Sequence, residues 1–271
     1  MRSDNFSGNM DIADAVIRCD NVRKEFVRDG NRTLAVDGLS FTVARGEYVC
    51  VVGRTGHGKS TLVNLLLGLL PASAGTVEVL GRDPYRQFDQ LKGRLSCIFQ
   101  GDRLLPWRTV LANVRLPLEI LGIRERTLPL HAMDWLKRLG LQEVPGAYPH
   151  ELSGGMRQRV AMARALVSDP EVVLADEAFA HLDAVTGDRI KSDFRQLMRS
   201  SGKTVIHITH SIEEATTLAD RIIVLGEHGR IRASFRADSV HGAHAIDELR
   251  HEIYRQVANA ERPALSVVSG K

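Results

Sequence analysis

Nine consecutive residues, Gly53-Arg54-Thr55-Gly56-His57-Gly58-Lys59-Ser60-Thr61, carry the spacing G-x-x-x-x-G-K-[ST]. Each residue type has a task if the ligand is a polyphosphate. Glycines let the backbone curl until successive N–H groups converge on phosphate oxygens. Lys59 adds a flexible point charge for the outer phosphates. Ser60 offers a hydroxyl to Mg²⁺, and Thr61, one residue on, reaches the α-phosphate side. A Mg²⁺ ion needs a second hard oxygen ligand. Val172-Val173-Leu174-Ala175-Asp176-Glu177, an apolar run ending in two acids, supplies it. Asp176 can hold the metal directly or through water, and Glu177 stands where an attacking water would be polarised. In a third constellation, Leu152-Ser153-Gly154-Gly155-Met156-Arg157-Gln158-Arg159, a serine sits at a helix cap with two glycines behind it. Open N–H groups, a hydroxyl and a helix dipole there make a second anion site.

These groups work only if regular elements carry them. The phosphate loop requires a strand running in and a helix running out. Residues 47–52 read as that strand, and residues 61–70, stopped by Pro71, as that helix. Further short apolar or alternating runs predict strands at 15–19, 40–43, 76–80, 95–99, 172–175 and 204–209. Residues 221–225 and 230–235 are joined by Gly-Glu-His-Gly and read as a hairpin. Helical residue types predict helices at 110–121, 131–139, 154–167, 184–199 and 246–257. No strong strand interrupts residues 106–168, so they read as a helical insert. Elsewhere strands and helices alternate, which predicts an α/β body: a parallel sheet with helices on its faces. Such a sheet binds ligands at its C-terminal edge, where the strand over 172–175 would deliver Asp176.

Composition fits a globular protein. The chain has 271 residues, 44% of them apolar and 25% charged, which argues against a disordered or fibrous protein. No apolar run approaches the ~18 residues of a membrane span. Asp4, Asp11 and Asp14 near the start do not suit a signal peptide. Cys19, Cys50 and Cys97 are an odd number in apolar settings, which fits buried thiols in a reducing cytoplasm. A net charge of +3 is too small to point to nucleic acid as a partner.

With the Leu-Ser-Gly-Gly octet lying between the two nucleotide elements, the chain resembles the ATP-binding subunits of ATP-binding-cassette transporters over about residues 16–257. The resemblance implies a P-loop NTPase core with an antiparallel β subdomain and a helical insert at about 106–168. The whole cassette would span 13–258, followed by a tail at 259–271. It implies ATP and Mg²⁺ as cofactors. By position, Phe26 matches the aromatic that stacks adenine. Gln100 matches the glutamine that senses Mg²⁺ and the attacking water, so Ser60, Gln100 and Asp176 form the metal set. Asp183 matches the loop facing a second subunit, and His210 the switch histidine at the γ-phosphate. Lys59, Gln100, Glu177 and His210 are then the catalytic group. Gly53 to Thr61 and Phe26 bind ATP from one chain, and Ser153, Gly154, Gly155 and Asp183 bind it from the other, in a head-to-tail homodimer. Arg103-Leu104-Leu105-Pro106-Trp107 is similar to importer subunits of the nitrate, sulfonate and taurine type. That implies a cytoplasmic subunit on the inner face of the membrane. A permease would contact the Leu104, Leu105 and Trp107 region, and an extracytoplasmic solute-binding protein would act indirectly. The sequence departs from the family at Arg54, His57, Ala175, Ala178, Ala180, His181 and Ser211, which bears on turnover. A non-transport cassette ATPase and a regulatory ATP-binding module with weak hydrolysis stand as alternatives.

Overall fold

The computed structural model describes residues 14–123, 128–180, 184–240 and 242–258. The first strand, β1 (Ala15–Arg28), turns at Asp29-Gly30, both left-handed, into β2 (Asn31–Ala44). Arg28 then lies opposite Asn31, as a two-residue hairpin turn of this hand requires. With β4 (Ala74–Val79) they form an antiparallel sheet in the order β2-β1-β4. β1 and β2 are far longer than the runs 15–19 and 40–43. Irregular pairing between Cys19 and Glu25 carries the strand through its charged stretch.

The second sheet has six strands in the order β5-β6-β7-β3-β8-β9. They are β3 (Tyr48–Val52), β5 (Leu95–Ile98), β6 (Val172–Asp176), β7 (Thr204–Thr209), β8 (Arg221–Leu225) and β9 (Ile231–Arg236). All pairs are parallel except β8 with β9, the expected hairpin. Every residue of β3 and β7 is buried, because both faces of the sheet are covered. Alternation decides what each residue meets. Tyr48, Cys50 and Val52 join one core, built with the helices α2 (Val110–Ile120), α3 (Leu128–Arg138), α4 (Gly154–Leu166), α5 (Ala184–Ser200), α6 (Ile212–Leu218) and α7 (Ala243–Ala258). Val49 and Val51 join the other, built with α1 (Lys59–Leu66) and the antiparallel sheet. Three helices, α2 to α4, make up the insert.

Two further departures from expectation bear on the site. α1 stops at Leu66, short of 70. Gly68, left-handed at φ +69°, ends it: its N–H donates to Leu65 O and the next N–H to Asn64 O. The second is α6, which the sequence reading did not contain. Ser211 caps it, accepting the Glu214 N–H at 3.2 Å. Ser211, one of the departures from the family, is thus the helix cap itself. Cys19 and Cys50 are buried as expected, whereas Cys97 is half-buried; all three are free thiols. Burial pushes Cys19 and Cys97 up to about 12.

Candidate functional site

Registers between strands bring four chain segments out at one level. Val52 of β3 lies opposite Thr209 of β7, Ile208 of β7 opposite Asp176 of β6, and Ala175 of β6 opposite Ile98 of β5. Across the C-terminal edge, therefore, stand Gln100, then Asp176 and Glu177, then His210, then the phosphate loop.

The loop is fixed from two sides. A Cβ on Gly53 would sit 2.9 Å from the Leu225 carbonyl oxygen, and one on Gly58 2.7 Å from that of Ala35. Only glycine permits both approaches, and Gly56 and Gly58 are left-handed as well. His57 is buried, and its Nδ1 donates to Leu225 O at 3.1 Å, so the imidazole ties the loop to the end of β8. Arg54, Thr55 and Gly56 are exposed at the loop's crown. Lys59 opens α1 and is buried, with Nζ donating to Gly53 O at 2.7 Å and Arg54 O at 2.9 Å. Ser60 is exposed and Thr61 half-buried on the first turn.

Burial and mutual charge set the electrostatics at the edge. Burial, then the neighbouring Glu177, raises the Asp176 carboxyl above its usual range, while Lys59 and Arg103 oppose the rise. Burial lowers Lys59, and Glu177 and Asp176 push it back up. Two acids face one lysine. The Ser60 hydroxyl and Asp176 carboxylate are hard oxygen donors suited to Mg²⁺. Among the described residues no cluster of three or more His, Cys, Asp or Glu exists.

Glu177 is left-handed at φ +48°, a conformation that costs a non-glycine residue roughly 1–3 kcal/mol. Its N–H donates to Ile208 O at 2.8 Å, locking the carboxylate beside β7. Its Oε1 lies 3.3 Å from Nδ1 of His210, which is 65% exposed. Phe26 on β1 pairs with Thr33, two residues from the Ala35 that abuts Gly58. The ring is 36% exposed, and Lys24 Nζ covers one side of it at 5.2 Å. Gln100 is exposed just beyond β5.

The signature octet opens α4. Ser153 Oγ accepts the Met156 N–H at 3.3 Å, and Ser153 and Gly154 are exposed while Gly155 is half-buried. Asp183, with His181 and Leu182, lies outside the described residues.

Behind this opening, α4 does work that the sequence reading missed. Gln158 is buried, and its Nε2 donates to Ala178 O at 2.5 Å, just past Glu177. Arg157 Nε pairs with Asp102 Oδ2 at 3.0 Å, and Arg164 donates to the carbonyls of Asp102 and Arg103 at 2.6 and 2.7 Å. One helix thus clamps both the loop after Gln100 and the loop after Glu177. The available signal was Gln158 on the Gln158, Met162, Leu166 stripe, a polar residue on an otherwise apolar face. Thr209, Glu214 and Lys191 were also missed; their contacts are described below.

One expectation needs correction. Leu104 is buried and Leu105 half-buried, so neither forms an exposed apolar patch. Asn113 closes the loop by accepting from Leu105 N at 2.8 Å and donating to the carbonyls of Leu105, Arg108 and Thr109. That folding turns the leucines inward. Trp107 alone projects, at 72% exposure.

Comparison with known proteins agrees with this geometry. Residues 36–180 match the family described as ABC transporter. The taurine import ATP-binding protein of Rhizobium johnstonii is 40% identical over 79% of this chain and 80% of its own. The aliphatic sulfonates import ATP-binding protein of Mesorhizobium japonicum is 39% identical over 93% and 95%. A dimeric post-hydrolysis structure of the ATP-binding cassette MJ0796, bound to ADP and Pi, superposes with TM-score 0.72 at 31% identity, covering 82% of this chain and 98% of that one. Edge, loop and relatives converge: the chain belongs to the ATP-binding-cassette (ABC) transporter family, as one of its ATP- and Mg²⁺-dependent ATPase subunits.

Proposed function

We propose that this ATPase drives an importer for a small organic sulfonate such as taurine, working as a head-to-tail pair of identical chains beneath a separate permease on the inner face of the membrane. The observation that carries the importer reading is Trp107. It projects from a loop held rigid by Asn113, Arg157 and Arg164, and a rigid exposed tryptophan is the commonest kind of interface anchor. No helix among the described residues is long and apolar enough to cross a membrane. The relatives named for taurine and sulfonates support the solute class.

The chemistry is phosphoryl transfer to water, mostly a matter of positioning and charge stabilisation. Lys59 and the loop amides, Gly53 to Thr61, hold the phosphates, and Phe26 carries the adenine. Ser60 and Asp176, with Gln100 beside them, would hold Mg²⁺, and the ion would supply charge neutralisation for the phosphoryl oxygens. Glu177 orients the water and accepts its proton. His210, 3.3 Å from Glu177, steadies that carboxylate and the γ-phosphate. The exposed Ser153, Gly154 and Gly155 bind the γ-phosphate of the partner's ATP, with Asp183 at the seam. Losing that phosphate removes the bridge and opens the pair. The weak-hydrolysis alternative draws on Ala178 and Ala180. Against it, Ala178 and Phe179 are buried and Gln158 holds the Ala178 carbonyl, which fixes the start of that loop.

Two measurements test this reading. Mixing a Lys59→Ala chain with a Ser153→Arg chain pairs one intact site with one doubly damaged site and restores turnover that neither variant shows alone. Full-rate hydrolysis by a monomer would refute the pair. A strain lacking the gene loses growth on taurine or alkanesulfonates as sole sulfur source but not on sulfate; unimpaired growth on all sulfonates rejects the solute class.

A further inference from the structure

The proposed reaction places His210 at the γ-phosphate, yet its side chain is mostly exposed, and among the described residues its polar contact is with Glu177. The backbone on either side is far more constrained. Thr209, the last residue of β7, is buried, and its Oγ1 donates to Glu214 Oε2 at 2.7 Å. The same oxygen accepts the Ser211 N–H at 3.0 Å. His210 is thus spanned by one hydroxyl that grips the chain before and after it. Glu214 sits on the first turn of α6 and is buried. Its own N–H donates to Ser211 Oγ, and its other oxygen, Oε1, lies 3.6 Å from Lys191 Nζ on α5. A buried carboxylate is retained at a cost unless it is paired and hydrogen-bonded, and this one is both. Beneath it His207, fully buried on the same face of β7, brings Nε2 to 3.8 Å from Glu214 Oε2 and leaves that nitrogen without a hydrogen-bond partner. Polar groups from β7, α6 and α5 therefore converge on a short turn whose one exposed residue is His210.

We propose that Thr209 and Glu214 are positioning residues for His210: the Glu214 carboxylate, oriented by Lys191, holds the Thr209 hydroxyl, and that hydroxyl fixes the turn that presents the His210 imidazole to Glu177 and the γ-phosphate. The assignment rests on His210 acting in hydrolysis. Thr209 and Glu214 are both buried beneath the turn. Their removal acts on the step that needs the imidazole in register and leaves ATP binding to the phosphate loop.

The test is Mg-ATP turnover by the purified full chain carrying Thr209→Val, Thr209→Ser, Glu214→Gln, His210→Ala, and the pair Thr209→Val with His210→Ala. A displaced catalytic group loses roughly ten- to a hundredfold in rate. Thr209→Val is expected to lower kcat by about tenfold or more with KM for ATP within about twofold. Thr209→Ser, which keeps the hydroxyl, recovers most of the loss. The decisive outcome is non-additivity: once His210 is alanine, adding Thr209→Val costs nothing further, because the residue it serves is gone. Additive losses, or a loss that appears in KM, would show a general structural role and overturn the proposal. If Thr209→Val does not fold, Glu214→Gln, which loses the carboxylate charge but keeps the shape, takes its place in the same cycle with the same two outcomes. Unchanged kcat in His210→Ala would instead refute the role of the histidine, a result distinct from failure of the coupling.

Discussion

Asp176 and Lys59 carry opposite charges, yet burial disfavours the ionised form of each. For Asp176 the sign is clear. Its folded-state pKa lies above that of the unfolded chain, so the native state binds the proton more tightly. Stability is therefore lost as pH rises from the ordinary carboxylate value through the raised one. At neutral pH the uncharged variant Asp176→Asn should be more heat-stable than the parent without nucleotide, by about 2–4 °C per kcal/mol gained. The same variant should have no Mg-ATP turnover. A lower midpoint in differential scanning calorimetry would refute this view of the acid. Glu177 shows the same trade in backbone form, a left-handed residue held by Ile208 O where the proposed reaction uses its carboxylate. His207, buried and lowered to about 3 by burial and then Lys191, stays neutral, so its 3.8 Å approach to Glu214 is not an ion pair.

Elements set these residues in place through their ends more than their lengths. Gly68 stops α1 in a left-handed turn pressed against Pro84, whose carbonyl oxygen would lie 2.1 Å from any Cβ. Gly68→Ala should therefore destabilise by more than about 2 kcal/mol in urea unfolding, well beyond an ordinary surface substitution. A change under 0.5 kcal/mol, roughly the surface norm, would mean that the neighbouring loop yields. The sequence predicted a helix there but stopped it at Pro71, because proline is a louder local breaker than a lone glycine. What was legible obeyed local rules: the phosphate loop between strand and helix, the acids ending β6, and the hairpin of β8 and β9. What was not legible depended on distance. The turn inward of Leu104 needs Asn113, and the clamp from Gln158 to Ala178 crosses twenty residues. The extension of β1 through charged residues needs β2 and β4 as partners on both sides. Ser211 and Glu214 have the spacing of a capping box, a local signal for α6 that the sequence reading left unused.

At the scale of the molecule, the two tryptophans report different events. Trp135 is buried in the insert, and Trp107 is 72% exposed. Docking on proteoliposomes that carry the permease should shift Trp107 emission to the blue. Trp107→Ala should weaken that docking by about tenfold or more, as hot-spot truncations do; unchanged emission and affinity would move the contact elsewhere. The order of strands adds a consequence in time. β3 lies between β7 and β8, with Val49 opposite Ile206 on one side and Arg221 on the other. During synthesis at ~5–20 residues per second, its partners emerge roughly ten to thirty seconds after it does. For that interval a strand of Tyr-Val-Cys-Val-Val has both edges open. The antiparallel hairpin of β1 and β2 can form at once, but the nucleotide edge cannot exist until β7 arrives. Ribosome-bound chains halted before Thr204 should therefore bind holdase chaperones, and ATP protection against protease should appear only in longer ones.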